Sequence, residues 1–229
     1  MPLLLHAISW TTEAPVVAAA GLRGQPLARF IQGGLAAWAT DWSGPRNLAR
    51  GDLPAVINLV GMLGDALPAR LPTWFDDAEG LRAALRVREP ELAEALRHVA
   101  GRVELALTAA WTTPPTLATD DAARPSTPGT RYLRERQRAI GASDARRARA
   151  AALRDLVATT VAGDLVEAQH RLAPSAMLAL SSALLVPRGA AGLVRGRLEQ
   201  LGPAHRDVRI LVHGPWPPYS FARITVSTA

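Results

Sequence analysis

Arginine is the residue type in this chain with the clearest capacity for chemistry. Between Arg131 and Arg154 eight arginines are set against only Glu135 and Asp144, so this one segment carries a charge of +6. That equals the formal excess of the whole 229-residue chain, whose 26 basic residues are all arginine. Guanidinium groups form two-point hydrogen bonds with carboxylates and phosphates. Arg131, Arg134, Arg138, Arg146 and Arg149 are therefore candidates for an electrostatic partner face. Such a face speeds association and makes it salt-sensitive without deep burial of charge. No zinc finger, RNP-like aromatic motif or Gly-x-x-Gly clamp accompanies the arginines, so a solvated face that attracts an acidic partner is the preferred reading. An arginine-rich nucleic-acid-binding module on a ferredoxin-like sheet is the alternative.

Other reactive types are sparse. The absence of cysteine excludes disulfides, thiolate metal sites and a thiol nucleophile, and suits a reducing cytoplasm. His6, His98, His170, His205 and His213 are scattered, with no short-spaced pair and no carboxylate set to complete a metal site. Asp76 and Asp77 offer paired acids, but they stand before an apolar helical pattern. Capping is their simpler role, with Asp76 and Glu79 spaced as a capping box. No nucleophile elbow, phosphate loop or dinucleotide glycine pattern is present. We nominate no catalytic, metal or cofactor residue and expect no small-molecule substrate.

The elements that must position these residues come from periodicity. Leu3 to Ser9, Leu27 to Ile31 and Leu35 to Trp42 read as strands, the last two joined at Gly33-Gly34 as a hairpin. Asp52 to Leu63 is apolar and helical in character. A further helix starts near Asp77 and is broken or kinked at Pro90. Val103, Leu105, Leu107 and Ala109 alternate with Arg102, Glu104 and Thr108, the clearest period-2 strand in the sequence. Prolines at 114, 115, 125 and 128 mark 112–130 as a mobile loop. The arginine segment then reads as a helix from Tyr132 to about Ala168. Met177 to Val186, Ala190 to Leu201 and Val208 to Val212 follow as strand, helix and strand.

The expected fold is α+β in two domains, each a small mixed sheet with helices. Residues 1–100 form the first, and residues 101–229 the second, a ferredoxin-like domain of the modified split βαβ kind. The longest stretch without acid or base, Leu172 to Pro187, is 16 residues and contains prolines, too short for a membrane span. No signal peptide is legible at the start.

Four words carry a resemblance. Gly214-Pro215-Trp216-Pro217-Pro218-Tyr219-Ser220-Phe221 follows the strand at Val208. Gly101-Arg102-Val103-Glu104 opens the earlier strand, Gly129 with Tyr132 and Leu133 opens the arginine helix, and Leu67 to Phe75 reads Leu-Pro-Ala-Arg-Leu-Pro-Thr-Trp-Phe. In order and spacing these resemble the GvpL/GvpF family of gas-vesicle proteins. The first strand departs from the family's Tyr-x-Tyr-Gly pattern, with Leu4, His6 and Ala7 at those places, and Pro72 stands where glycine is usual. The resemblance implies a non-enzymatic, cytoplasmic assembly factor or minor component of gas vesicles. It would bind the main shell protein, limit its aggregation, and meet other accessory proteins. Read from the residues alone, the Gly214–Phe221 segment ends a strand, and its three aromatics pack as a lid. Pro215 and Pro218 also spell a Pro-x-x-Pro ligand, which the strand ending makes superfluous. The apolar run Leu53 to Leu63, or a sheet edge of the first domain, is where an apolar partner would dock.

Overall fold

A computed structural model describes residues 1–12, 21–113, 128–172 and 177–222; the side chains of 128–131, 133–135 and 138 lie outside the description. The chain divides into two compact units. Met1–Glu104 and the segment from Pro215 onward make the first, and Leu105–Gly214 the second.

In the first unit, β1 (Leu3–Trp10), β2 (Leu27–Gln32), β3 (Leu35–Asp41) and β4 (Leu67–Phe75) form a sheet in the order β2-β3-β1-β4. All its pairings are antiparallel. Helix α1 (Leu53–Met62) precedes β4, and α2 (Ala78–Val87) and α3 (Glu89–Val99) follow it. β1 and β3 are buried on both faces, which is why they read as near-continuous apolar runs, interrupted by the buried His6, Ser9 and Thr40, rather than alternating ones. Leu3, Leu5 and Ile8 pack with Leu81, Leu85, Leu92 and Leu96 of α2 and α3. Leu4 and Ala7 pack on the opposite face with Trp38, Trp42, Val56 and Val60. The exchange of faces between Leu5 and Ala7 needs a bulge, and the pairing register shifts there, at His6. β4, at a margin of the sheet, tolerates Pro68 and Pro72 because no further ladder requires their missing N–H groups.

Local chemistry sets the boundaries. Gly33, at φ +57°, is the first central residue of the two-residue hairpin loop, and the Glu89 carboxylate accepts from Gly34 N at 3.3 Å. Pro90 sits in the first turn of α3, where its missing donor costs nothing, so two helices form rather than one. The cap of α2 lies one residue beyond the expected Asp76. Asp77 accepts from Gly80 N at 2.8 Å, while β4 runs to Phe75 and Asp76 turns to Arg46.

The second unit runs β5 (Arg102–Trp111), α4 (Pro128–Val161), β6 (Glu167–Leu172), β7 (Leu178–Pro187), α5 (Ala191–Glu199) and β8 (Val208–Trp216). The sheet order is β6-β7-β5-β8, so β7 lies between the two strands that α4 connects. This is the split βαβ of a ferredoxin-like domain. Two expectations needed correcting here. α4 begins at Pro128, inside the expected loop 112–130, whose residues 114–127 lie outside the described ones. It also ends at Val161 rather than near Ala168, and Glu167–Leu172 is instead a strand paired with β7 from Leu185 to Leu180. Gly163 and Asp164 fall in the turn between them. Ala150, Leu153, Val157 and Val161 form the buried stripe of α4, which packs on α5, β6 and β7.

Candidate interaction surfaces

β8 runs on through Val212 as far as Trp216 and stops where Pro217 and Pro218 can donate no ladder bond. Gly214, at φ +113°, takes backbone space closed to other residues, and the Gly214 and Val212 carbonyls accept from Arg195 Nη1 and Nη2 at 3.0 and 3.1 Å. A 3₁₀ turn at Tyr219–Phe221 follows and packs on β4. Phe221 and Pro218 are buried, Tyr219 joins the cluster under α1, and Ala222 joins the cluster under α2 and α3. The segment thus anchors into both cores of the first unit. Burial pushes the Tyr219 phenol above its usual range, and its hydroxyl has no hydrogen-bond partner among the described residues. The expected three-aromatic lid is only partly formed, because Trp216 is left 39% exposed.

The anchor has a polar clasp that spacing did not reveal. Glu104, one of the polar residues alternating along its strand, is 7% exposed, and accepts from Ser220 N at 2.8 Å and Ser220 Oγ at 2.7 Å. Burial pushes its carboxyl above the usual range, and the two Ser220 bonds oppose that shift. With the partners 116 positions apart in sequence, no local pattern could have paired them.

Beside this anchor lies an apolar platform. A Cβ added at Gly61 would lie 4.0 Å from Pro217 Cγ, which places the end of α1 against the Pro-Trp-Pro-Pro segment. The outward side of α1 presents Leu53, Pro54, Ala55, Asn58 and Met62, with Met62 58% exposed, and the neighbouring segment adds Pro215 and Trp216. Neither α1 nor residues 214–222 contain a charged side chain. Tryptophan and methionine on an uncharged surface are the composition of a protein-binding centre rather than of a solvated face. The expected docking run Leu53 to Leu63 is therefore half core and half surface, with Val56, Leu59, Val60 and Leu63 turned inward.

The arginine helix is divided by its contacts. Arg149 holds Asp207 with a two-point fork, Nε to Oδ2 at 2.8 Å and Nη2 to Oδ1 at 2.9 Å, and its Nη2 lies 3.2 Å from His205 Nδ1. The guanidinium keeps the Asp207 carboxyl below its usual range. Arg146 lies over the Trp111 ring, 5.3 Å from its centroid. Two of the five arginines of the expected partner face are thus occupied in fastening α4 to its own domain. Arg131, Arg134 and Arg138 are placed on α4 by its backbone alone, as are Gly129 and Leu133, while Tyr132 is exposed.

The histidines stay apart. His6 is fully buried at the bulge of β1, 2.7 Å from Thr40 Oγ1, and burial lowers its pKa to about 4. His170 Nδ1 lies 2.8 Å from Ser182 Oγ. Among the described residues no three His, Cys, Asp or Glu side chains come together as metal ligands, and no helix is long and apolar enough to cross a membrane.

Comparison with known proteins gives a consistent answer. The structure is similar to the crystal structure of the gas vesicle protein GvpF from Anabaena sp. PCC7120, with a TM-score of 0.80, 16% identity, and 98% of this chain and 99% of that one covered. It is also similar to GvpF from Microcystis aeruginosa, with a TM-score of 0.72, 14% identity, and coverage of 97% and 99%. At such identities the likeness establishes the fold. No curated protein sequence matches the chain. The model of the gas vesicle synthesis protein GvpL/GvpF family matches residues 3–223, nearly the whole length, and the chain belongs to that family.

Proposed function

We propose that this protein serves gas-vesicle assembly by binding the small apolar main shell protein and limiting its aggregation before it joins the growing shell. Its site of action would be the cytoplasm and the gas vesicle, with other accessory proteins as further partners. The observation that carries this reading is the uncharged platform of Leu53, Met62, Pro215 and Trp216 on the first unit. A shell subunit that is itself apolar gains most from a surface where no charge must be desolvated. Of the sheet margins, β4 is a poor template for strand addition, since Pro68 and Pro72 lie in it and the Tyr219–Phe221 turn packs on it. The role needs no catalytic group.

The test is co-expression with the main shell protein, affinity capture and sizing. The unaltered chain should co-purify with soluble shell protein, and Trp216→Ala combined with Met62→Glu should lower the captured amount by about tenfold, the scale of a lost interface anchor. Capture that is absent from the start, or unchanged in the double variant, would remove the platform from the mechanism. Tight, salt-sensitive RNA binding in its place would favour the nucleic-acid alternative.

A further inference from the structure

The two halves of the α1 platform are held in different ways. α1 is fixed from below by Val56, Leu59, Val60 and Leu63, all in the core. Pro215 and Trp216 instead form the last two residues of β8, where a ladder has little hold. Of residues 215–218 only Trp216 carries a backbone N–H, because the other three are prolines. A strand end held by the ladder alone would let the 39% exposed indole wander, and an anchor that must be ordered on binding loses affinity to that ordering. The chain beyond Trp216 is stiff, however. Pro217 and Pro218 have fixed φ and restrict the residues before them, Trp216 and Pro217. The 3₁₀ turn is closed by Tyr219 N donating to Pro217 O at 2.8 Å, and by Phe221 N and Ala222 N donating to Pro218 O, both at 3.1 Å. Residues 217–222 therefore behave as one piece, and whatever holds that piece also sets where Trp216 lies. Phe221, 2% exposed, gives it an apolar grip, which has no direction of its own. Direction comes from Glu104, whose two carboxylate oxygens accept from the N–H and the hydroxyl of Ser220. A two-point bond fixes orientation as well as place, and Glu104 is itself held between the buried Val103 and Leu105 of β5.

We propose that Glu104 is a positioning residue for the platform: through Ser220 and the stiff piece 217–222 it seats the Trp216 indole beside α1 in the orientation that receives an apolar partner. Glu104, Ser220, Trp216 and α1 all belong to the first unit. The binding consequence rests on the reading of the platform as a docking surface. Opening the clasp leaves the indole present but unseated, and apparent affinity falls by the fraction of molecules in which it is seated.

The test is fluorine NMR of the full chain labelled with fluorotryptophan, run beside the shell-protein capture. The Trp216 resonance is the one lost in Trp216→Phe. In Glu104→Ala it should shift and broaden, while the resonance of Trp111, in the second unit, stays in place. Ser220→Ala keeps the backbone N–H bond and should move the Trp216 resonance the same way by less. Glu104→Gln, able to accept and donate at the same two groups, should bring it back towards its original position. Capture should follow the resonance, about fivefold lower for Glu104→Ala and largely restored in Glu104→Gln. A merely structural role would lower the melting temperature without moving this one resonance at temperatures well below the melt. An unmoved Trp216 resonance in Glu104→Ala overturns the proposal whatever happens to capture, and so does unchanged capture by a variant whose resonance has moved. If the unaltered chain captures no shell protein, the docking reading fails, and the spectrum still decides whether Glu104 seats Trp216. Should Glu104→Ala unfold at the temperature of measurement, Ser220→Ala carries the comparison.

Discussion

His6 occupies the one place in β1 where the pairing shifts, and its titration has a consequence at the scale of a single residue. Folded, it resists protonation down to about pH 4; unfolded, it takes a proton near the ordinary 6.5. The unfolded chain therefore binds more protons across that window, and stability falls as pH drops from about 6.5 to about 4, then levels. The expected slope is about 1.4 kcal/mol per pH unit. His6→Gln keeps a hydrogen-bonding group for Thr40 without the titration, so its urea-unfolding free energy should be flatter across the window; parallel profiles would sink the assignment. Glu104 gives a second residue-scale prediction. Glu104→Ala removes the acceptor of Ser220 N and should cost about 1–3 kcal/mol, whereas Glu104→Gln, able to satisfy the same groups without a buried charge, should retain most of the stability. Thermal melts of the two variants at pH 7 separate the outcomes. Because burial raises the Glu104 carboxyl, its ionised form is the costly one, so any gain in the Gln variant should shrink as pH falls through the carboxyl range.

Among the elements, periodic sequence was legible and isolated junctions were not. The central strands, the break at Pro90 and the hairpin at Gly33 follow from apolar runs, a missing donor and a backbone needing positive φ. β6 was not legible, because Glu167, Gln169 and Arg171 alternate with Ala168, His170 and Leu172, a weak contrast that also continues a helical pattern. β4 is hard to read from sequence because Pro68 and Pro72 argue against a strand, and only its place at the sheet margin makes them tolerable. The platform was half legible, since the apolar run of α1 was visible but the approach of Pro217 to Gly61 belongs to tertiary structure. An element-scale prediction follows from the hairpin. A Cβ at Gly33 would lie 2.6 Å from a Glu89 carboxylate oxygen on a backbone at φ +57°, so Gly33→Val should destabilise by about 1–3 kcal/mol. Guanidinium unfolding of this variant beside Gly34→Ala isolates the effect, because Gly34 meets Glu89 only at 3.9 Å and has no positive φ.

At the scale of the whole molecule, the first unit is discontinuous in sequence, and the second is inserted between Glu104 and Pro215. A boundary drawn near Gly101 from sequence sees the strand that leaves the first unit but not the segment that returns. Chains ending at Gly214 should keep the second unit and lose cooperative unfolding of the first, since Tyr219 and Phe221 leave apolar contacts unfilled. Tryptophan fluorescence of Trp38, Trp42 and Trp74 reports on the first unit. A synthetic peptide spanning 215–229, added in excess, should restore the transition at least in part, and an unchanged melt in the shortened chain would show that the returning segment is dispensable.

The same insertion orders events on the ribosome. Residues 1–104 emerge first, yet the Tyr219–Phe221 turn and the Ser220 partner of Glu104 are synthesised only after the entire second unit. Until then the nascent first unit holds an open apolar surface along β4 and α1 while the second, contiguous in sequence, is free to fold. Translation thus leaves the first unit in need of protection until its last segment arrives, and a chain interrupted before residue 215 is marked by that open surface for chaperones and proteases.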